Sequence, residues 1–162
     1  MPLRFNHMEL TLAPGELADR RGDIARFYDE LLGWTSTDVA ILGQTGLLLR
    51  TDTATSQFIL VTEQRVHIDS PGYDHLGLLC ASRAEVDGYL ASAKRFRDED
   101  PRVEIKEYDD LVTGSHVTHA FYVRYLLPIW FDIQCFERDG RPETDRWTYE
   151  PEPDAPVRSH AT

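Results

Sequence analysis

Cysteine is scarce: the 162-residue chain has two, Cys80 and Cys135, both inside apolar runs. No CxxC pair exists, which excludes a zinc ribbon or a thioredoxin-type site, and a disulfide framework needs more cysteines than this. Both read as small buried core residues. Cationic side chains are also in the minority, 17 Lys and Arg against 28 Asp and Glu, for a net charge of −11. A chain this acidic is poorly suited to gripping a phosphate backbone, so no nucleic-acid partner is expected. No run approaches the ~18 apolar residues of a membrane span. The opening MPLRFNHMELTL lacks the charged-then-apolar pattern of a signal peptide, and the cytoplasm is the expected location. What remains is 41% apolar and 28% charged, a composition for one soluble domain able to fold without staples.

The chain reads as two similar halves, 5–64 and 73–137, and a tail, 138–162. Phe5–Leu12 alternates, with Phe5, His7, Glu9 and Thr11 on one face and Asn6, Met8, Leu10 and Leu12 on the other, as a strand does. After a loop with Pro14 and Gly15, Ile24, Phe27, Tyr28, Leu31 and Leu32 keep helical spacing, with Asp23 placed as N-cap and Gly33 as C′ glycine. Strand-like runs follow at 34–42, 46–50 and 57–62, separated by Gly43 and by Asp52–Ser56. The second half repeats the order: a strand at 74–81, a capping box Ser82-Arg-Ala-Glu85, an apolar stripe of Val86, Tyr89, Leu90, Ala93 and Phe96 ending before Pro101, then strands at 103–108, 116–125 and 129–137. The tail, with Pro142, Pro151, Pro153 and Pro156, breaks regular structure, although Trp147 and Tyr149 suit docking on the body or on a neighbouring subunit.

The halves correspond in residues as well as in order. Asn6-His7-Met8-Glu9-Leu10 opens the first and Asp74-His75-Leu76-Gly77-Leu78 the second, with the two histidines 68 residues apart. Two βαβββ modules, paired strand histidines and the helix Arg26-Phe-Tyr-Asp-Glu-Leu-Leu-Gly-Trp34 resemble the vicinal oxygen chelate superfamily, which includes glyoxalase I, extradiol dioxygenases, fosfomycin resistance enzymes and bleomycin-binding proteins. The resemblance spans about residues 5–137 of a single domain at 1–137. It implies an α+β fold in which two βαβββ modules form a paired half-barrel around a cleft for a divalent metal. It also implies a homodimer, which no periodicity in the sequence demonstrates.

The metal ligands that the resemblance implies are His7, His75 and a carboxylate on the last long strand. The family's Tyr-Val-Arg-Asp-Pro-Asp-Gly-x-x-x-Glu corresponds to Tyr122-Val-Arg-Tyr-Leu-Leu-Pro-Ile-Trp-Phe-Asp132, which puts Asp132 in the glutamate's place on a shorter stem. Two imidazoles and one carboxylate leave about half an octahedron open, an arrangement suited to Fe(II), with Mn(II), Ni(II) and Zn(II) as other occupants. A lone histidine near a strand start is commonly just a half-buried polar group. Asp132 among Ile129, Trp130, Phe131 and Ile133 needs a partner, either a metal or an arginine. Glyoxalase I carries an extra glutamate where Ile59 stands here, which speaks against its reaction. The segment from His116 to Tyr122 resembles the extradiol dioxygenase signature, and alternation puts His116 and Tyr122 on one face as donors to substrate or O₂, with His119 on the other. The dioxygenases' fourth-strand histidine is absent near Gln57. His67 lies in the linker. Trp130, Phe136, Leu79 and Leu48 have the parity to line the cleft, implying a small substrate that is partly apolar or aromatic.

The leading expectation is therefore a metal-dependent, Fe(II)-favouring enzyme of extradiol type acting on an aromatic diol, with Tyr122 and His116 assisting. Its rivals are a bleomycin-resistance-like binding module, to which the −11 charge offers a cationic ligand, and another metal-assisted isomerase or lyase.

Overall fold

Alternation in the strands and 3.6-residue periodicity in the helices divide each half into a face that packs inward and a face that points away. The computed structural model describes residues 5–52 and 57–143. Its elements run β1 (His7–Leu12), α1 (Glu16–Leu32), β2 (Thr35–Ile41), β3 (Gln44–Arg50), β4 (Phe58–Glu63), β5 (His75–Leu79), α2 (Arg83–Glu99), β6 (Glu104–Glu107), β7 (Leu111–Thr113), β8 (His116–Arg124), β9 (Trp130–Arg138) and β10 (Arg141–Pro142). The expected βαβββ order holds in the first half. The second adds two short strands, β7 and β10, to the same order.

The modules form separate sheets. The first has the order β1-β4-β3-β2, with β1 parallel to β4. In the second, β10, β9, β8 and β6 lie in order, β5 runs parallel to β9, and β7 pairs with β8. Each helix packs on its own sheet, and the two helices touch each other. The core therefore lies between the two helices and the sheet faces that they cover. Leu10, Leu12, Leu49, Ile59 and Val61 enter it from the first sheet, and Phe121, Val123, Phe131, Ile133 and Cys135 from the second. The FY..LLGW helix supplies the seam: Phe27 packs on Phe96 and Tyr125, and Tyr28 and Trp34 pack on Phe131. The Tyr28 hydroxyl donates to the Tyr125 carbonyl across the seam at 3.1 Å.

Two terminus assignments change. Helix α1 begins at Glu16 rather than after Asp23. Gly15 offers no side-chain cap, and the Glu63 carboxylate from the end of β4 takes the Gly15, Leu17 and Ala18 N–H groups at 2.8, 2.7 and 3.1 Å. A cap from a distant strand leaves no local signal. Asp23, inside the helix, instead accepts from Arg102. Gly33 closes the helix as expected, at φ 71°, which is strained for any residue with a Cβ. At α2, Ser82 accepts from the Glu85 N–H, but the Glu85 carboxylate reaches the Ala81 N–H instead of that of Ser82. Pro142 sits in edge strand β10, where its missing N–H is tolerated. The start of the expected tail thus pairs with β9, while Trp147, Tyr149, Pro151, Pro153 and Pro156 lie outside the described residues, as do positions 53–56 of the expected Asp52–Ser56 turn.

Candidate metal-binding face

The outward face of the second sheet carries the residues with chemistry. Phe131 and Ile133 of β9 turn into the core, so Trp130, Asp132 and Gln134 turn outward. Register places Gly77 and Tyr122 on either side of Asp132, with His75 beside Trp130. The strand pairing thus brings His75, Tyr122 and Asp132 together.

Asp132 is 6% exposed, and its Oδ1 is buried without a hydrogen-bond partner among the described residues. Burial pushes its carboxyl up to about 6, opposed by His75. The ionisable side chain beside it is His75, whose Nε2 lies 3.8 Å from Asp132 Oδ2, beyond hydrogen-bonding distance. Among the described residues no arginine lies within ion-pair distance of this carboxylate. His75 Nδ1 lies 2.8 Å from the Tyr73 carbonyl, which can only accept, so Nδ1 carries the proton. In the neutral ring the Nε2 lone pair is thereby left toward Asp132. Two acceptors facing one another call for a cation between them, either a proton or a metal ion. A histidine whose far nitrogen is tied to a backbone carbonyl is the usual form of a metal-ligating imidazole. An imidazole nitrogen and a carboxylate are donor types that a divalent metal takes, and one chain brings these two together here.

Tyr122 packs its ring on His75, with centroids 4.8 Å apart. Burial, then the Asp132 charge, raises its phenol above the ordinary tyrosine value, so it stays a proton donor. Tyr73 and Tyr108 enclose the same face, with centroids 6.3 and 4.9 Å from Tyr122, and Tyr73 also lies 5.4 Å from Trp130. Sequence reasoning missed Tyr73 and Tyr108. Tyr73 could have been found by parity, two residues before His75, and Tyr108 by its place at the end of the expected strand 103–108, although it lies just past β6. Gly77, opposite Asp132 on β5, leaves room for Gln134: a Cβ there would stand 3.0 Å from Gln134 Nε2.

The other expected residues lie elsewhere. His7 is on the outward face of the first sheet, stacked on Phe58 at 4.8 Å, with Nδ1 on Asn6 Oδ1 at 2.9 Å. Its Nε2 is left outward, as in His75, but among the described residues of one chain no three His, Cys, Asp or Glu side chains are arranged so that they could hold a metal ion. The expected three-ligand site is therefore not assembled within a single chain, because the two histidine strands belong to separate sheets. His116 shares the face of Tyr122 but stands six residues along β8, about 20 Å away at strand rise, where it faces Glu143 at 3.5 Å. The expectation that it assists at the Tyr122 site is corrected: common parity gave a common face, not proximity. His119 turns the other way as expected, between Asp87, Asp110 and Arg83. His67 lines a groove between the modules with Arg20, Arg102 and Arg124, apart from His75 and Asp132. Ile59 is fully buried in the core.

Comparison with solved structures identifies the architecture. The fosfomycin resistance protein FosX from Listeria monocytogenes, in a monoclinic crystal form, matches with a TM-score of 0.58 at 16% identity over 86% of this chain and 94% of that one. A variant of FosX complexed with Mn(II) and 1S,2S-dihydroxypropylphosphonic acid gives 0.55 at 13% identity, over 86% and 94%. Lactoylglutathione lyase from Agrobacterium tumefaciens gives 0.52 at 14% identity, over 83% and 94%. The chain has the α+β, paired-module fold of the vicinal oxygen chelate proteins, also called the glyoxalase/bleomycin resistance fold. No family model and no curated protein matches the sequence.

Proposed function

We propose that the protein is a divalent-metal-dependent enzyme acting on a small molecule that presents two adjacent oxygens. The facing acceptors, His75 Nε2 and Asp132 Oδ2 at 3.8 Å with Oδ1 orphaned, carry the reading. His75 and Asp132 would hold the metal in one chain, and His7 of a second copy would complete the set in a homodimer. Both histidines fix Nδ1 on a neighbouring oxygen and leave Nε2 outward, which supports this pairing. When bound, the metal supplies Lewis-acid polarisation of the chelating oxygens. Tyr122 donates a hydrogen bond to one of them. Trp130, Tyr73 and Tyr108 exclude water from one side and stack on a flat body.

The aromatic lining favours an aromatic diol, and ring opening beside the diol with uptake of one O₂ is the specific reaction proposed, on Fe(II). Mn(II), present in the FosX complex, is the alternative occupant, as are Ni(II) and Zn(II). With His116 remote, Tyr122 is the proton donor available to that reaction.

The test is metal content by mass spectrometry after anaerobic reconstitution with mixed Fe(II), Mn(II), Ni(II) and Zn(II), followed by oxygen uptake on a panel of catechols. One metal per chain is expected, lost in His75→Ala and in His7→Ala. Mixing the two variants is expected to restore about a quarter to a half of the sites if copies exchange. Full occupancy in His75→Ala overturns the assignment. Iron without oxygen uptake on any catechol overturns the dioxygenase reaction alone.

A further inference from the structure

We infer that the substrate bears a carboxylate on its aromatic ring, and that Lys106 binds it. This rests on the reading of His75 and Asp132 as the metal-binding end. Lys106 pairs in register with Tyr122, and Tyr122 with Asp132, so the three form one row across β6, β8 and β9 on the outward face. Two strand spacings put the Lys106 backbone about 10 Å from that of Asp132, a span that a substituted benzene ring bridges. The ammonium stands over the two outer tyrosines, 6.0 Å from the Tyr73 centroid and 5.5 Å from the Tyr108 centroid. It therefore stands beside these rings on β6, across the sheet from the His75 strand.

Its charge is uncommitted. The two glutamates nearest it on β6 serve other cations: Glu104 takes a bidentate pair with Arg124 at 2.8 and 2.9 Å, and Glu107 pairs with Lys94 at 2.9 Å. Among the described residues no carboxylate lies within ion-pair distance of Lys106, whereas Arg83, Arg102 and Arg124 are all paired. A free cation in so acidic a chain, placed over aromatic rings and in line with a metal-binding pair, suits a ligand anion. Because Arg124 is paired with Glu104 and Glu107 with Lys94, Lys106 is the one charged side chain of β6 without an ion pair, a single positive charge. That matches a monoanionic carboxylate better than a dianionic group.

The experiment is calorimetric titration of benzoate, catechol and 3,4-dihydroxybenzoate into the full chain, in chelator and after Mn(II) loading. Wild type is compared with Lys106→Met and Lys106→Arg. Lys106 is exposed at a short strand, and unchanged melting curves check that the variants fold. Benzoate in chelator is expected to bind about tenfold more weakly to Lys106→Met and near wild-type strength to Lys106→Arg. Loaded wild type should prefer 3,4-dihydroxybenzoate to catechol by a similar factor, with the preference lost in Lys106→Met. Equal benzoate affinity in wild type and Lys106→Met overturns the inference, as does equal affinity of loaded wild type for catechol and 3,4-dihydroxybenzoate. Failure of the metal reading looks different: catechol would bind equally with and without Mn(II), while the benzoate comparison in chelator would still report on Lys106.

Discussion

His75 and Asp132 face one another from parallel neighbouring strands with 3.8 Å between Nε2 and Oδ2, and neither has a protein hydrogen to offer the other while His75 is neutral. Such an arrangement costs stability when it holds no cation, because a buried carboxylate is left without compensation.

Asp132→Asn is therefore expected to stabilise the protein in chelator. The carboxyl is raised to about 6, above an ordinary aspartate near 4, so the folded state is penalised where Asp132 must ionise. The sign follows: the penalty is complete above about pH 6 and disappears below about pH 4. At pH 7.5 the variant should gain about 1–3 kcal/mol, with the gain shrinking as pH falls. Denaturant unfolding at pH 7.5 and 4.5 measures it. A variant less stable than wild type at pH 7.5 would contradict the account.

Glu63→Gln is expected to cost about 1 kcal/mol, since the carboxylate caps three N–H groups at the start of α1. Those N–H groups hold the Glu63 carboxyl below the ordinary glutamate range. Its contribution is complete above about pH 4.3 and is lost as pH falls below that value. Melting curves of the two proteins should therefore separate at pH 7 and converge in acid.

Tyr28→Phe tests the seam between the modules. The hydroxyl is fully buried and supplies the Tyr125 carbonyl. Its removal should cost about 0.5–1.5 kcal/mol with little change in packing. Hydrogen exchange should show faster opening where α1 meets the second sheet. Unchanged stability would mean that the carbonyl finds another donor.

Tyr122→Phe separates binding from proton donation. The ring packs on His75 and the variant keeps it, so metal content and melting temperature should hold. Turnover on the best catechol should fall about 10²-fold or more if the phenol delivers a proton in the reaction. Lost metal occupancy would instead assign Tyr122 to holding His75 in place.

The module repeat was legible because alternation and helical spacing follow directly from burial on one face. Phe27, Tyr28 and Leu31 are core residues, as their spacing requires. Asp132 was legible too: a carboxylate inside an apolar strand must have a reason. Distances across strands were not. His116 and Tyr122 share parity, which says nothing of the six residues of strand between them. His7 and His75 hold equivalent places in the repeat, yet lie on different sheets that face away from a common core. The Glu63 cap was invisible because it joins residues 48 positions apart. Lys106 is an ordinary surface residue in sequence, and acquires meaning only when register sets it beside Tyr122.

Gly77 occupies the position opposite Asp132 on β5, and the one side-chain atom a methyl group would crowd there is the tip of Gln134. The space beside Gln134 on this face is thus set by a single missing carbon, in a strand whose backbone any residue could adopt. Bulk at this position is a size filter that can be adjusted without touching a ligand, a tyrosine or the core, so related chains could diverge in what they admit while keeping the same reactive pair.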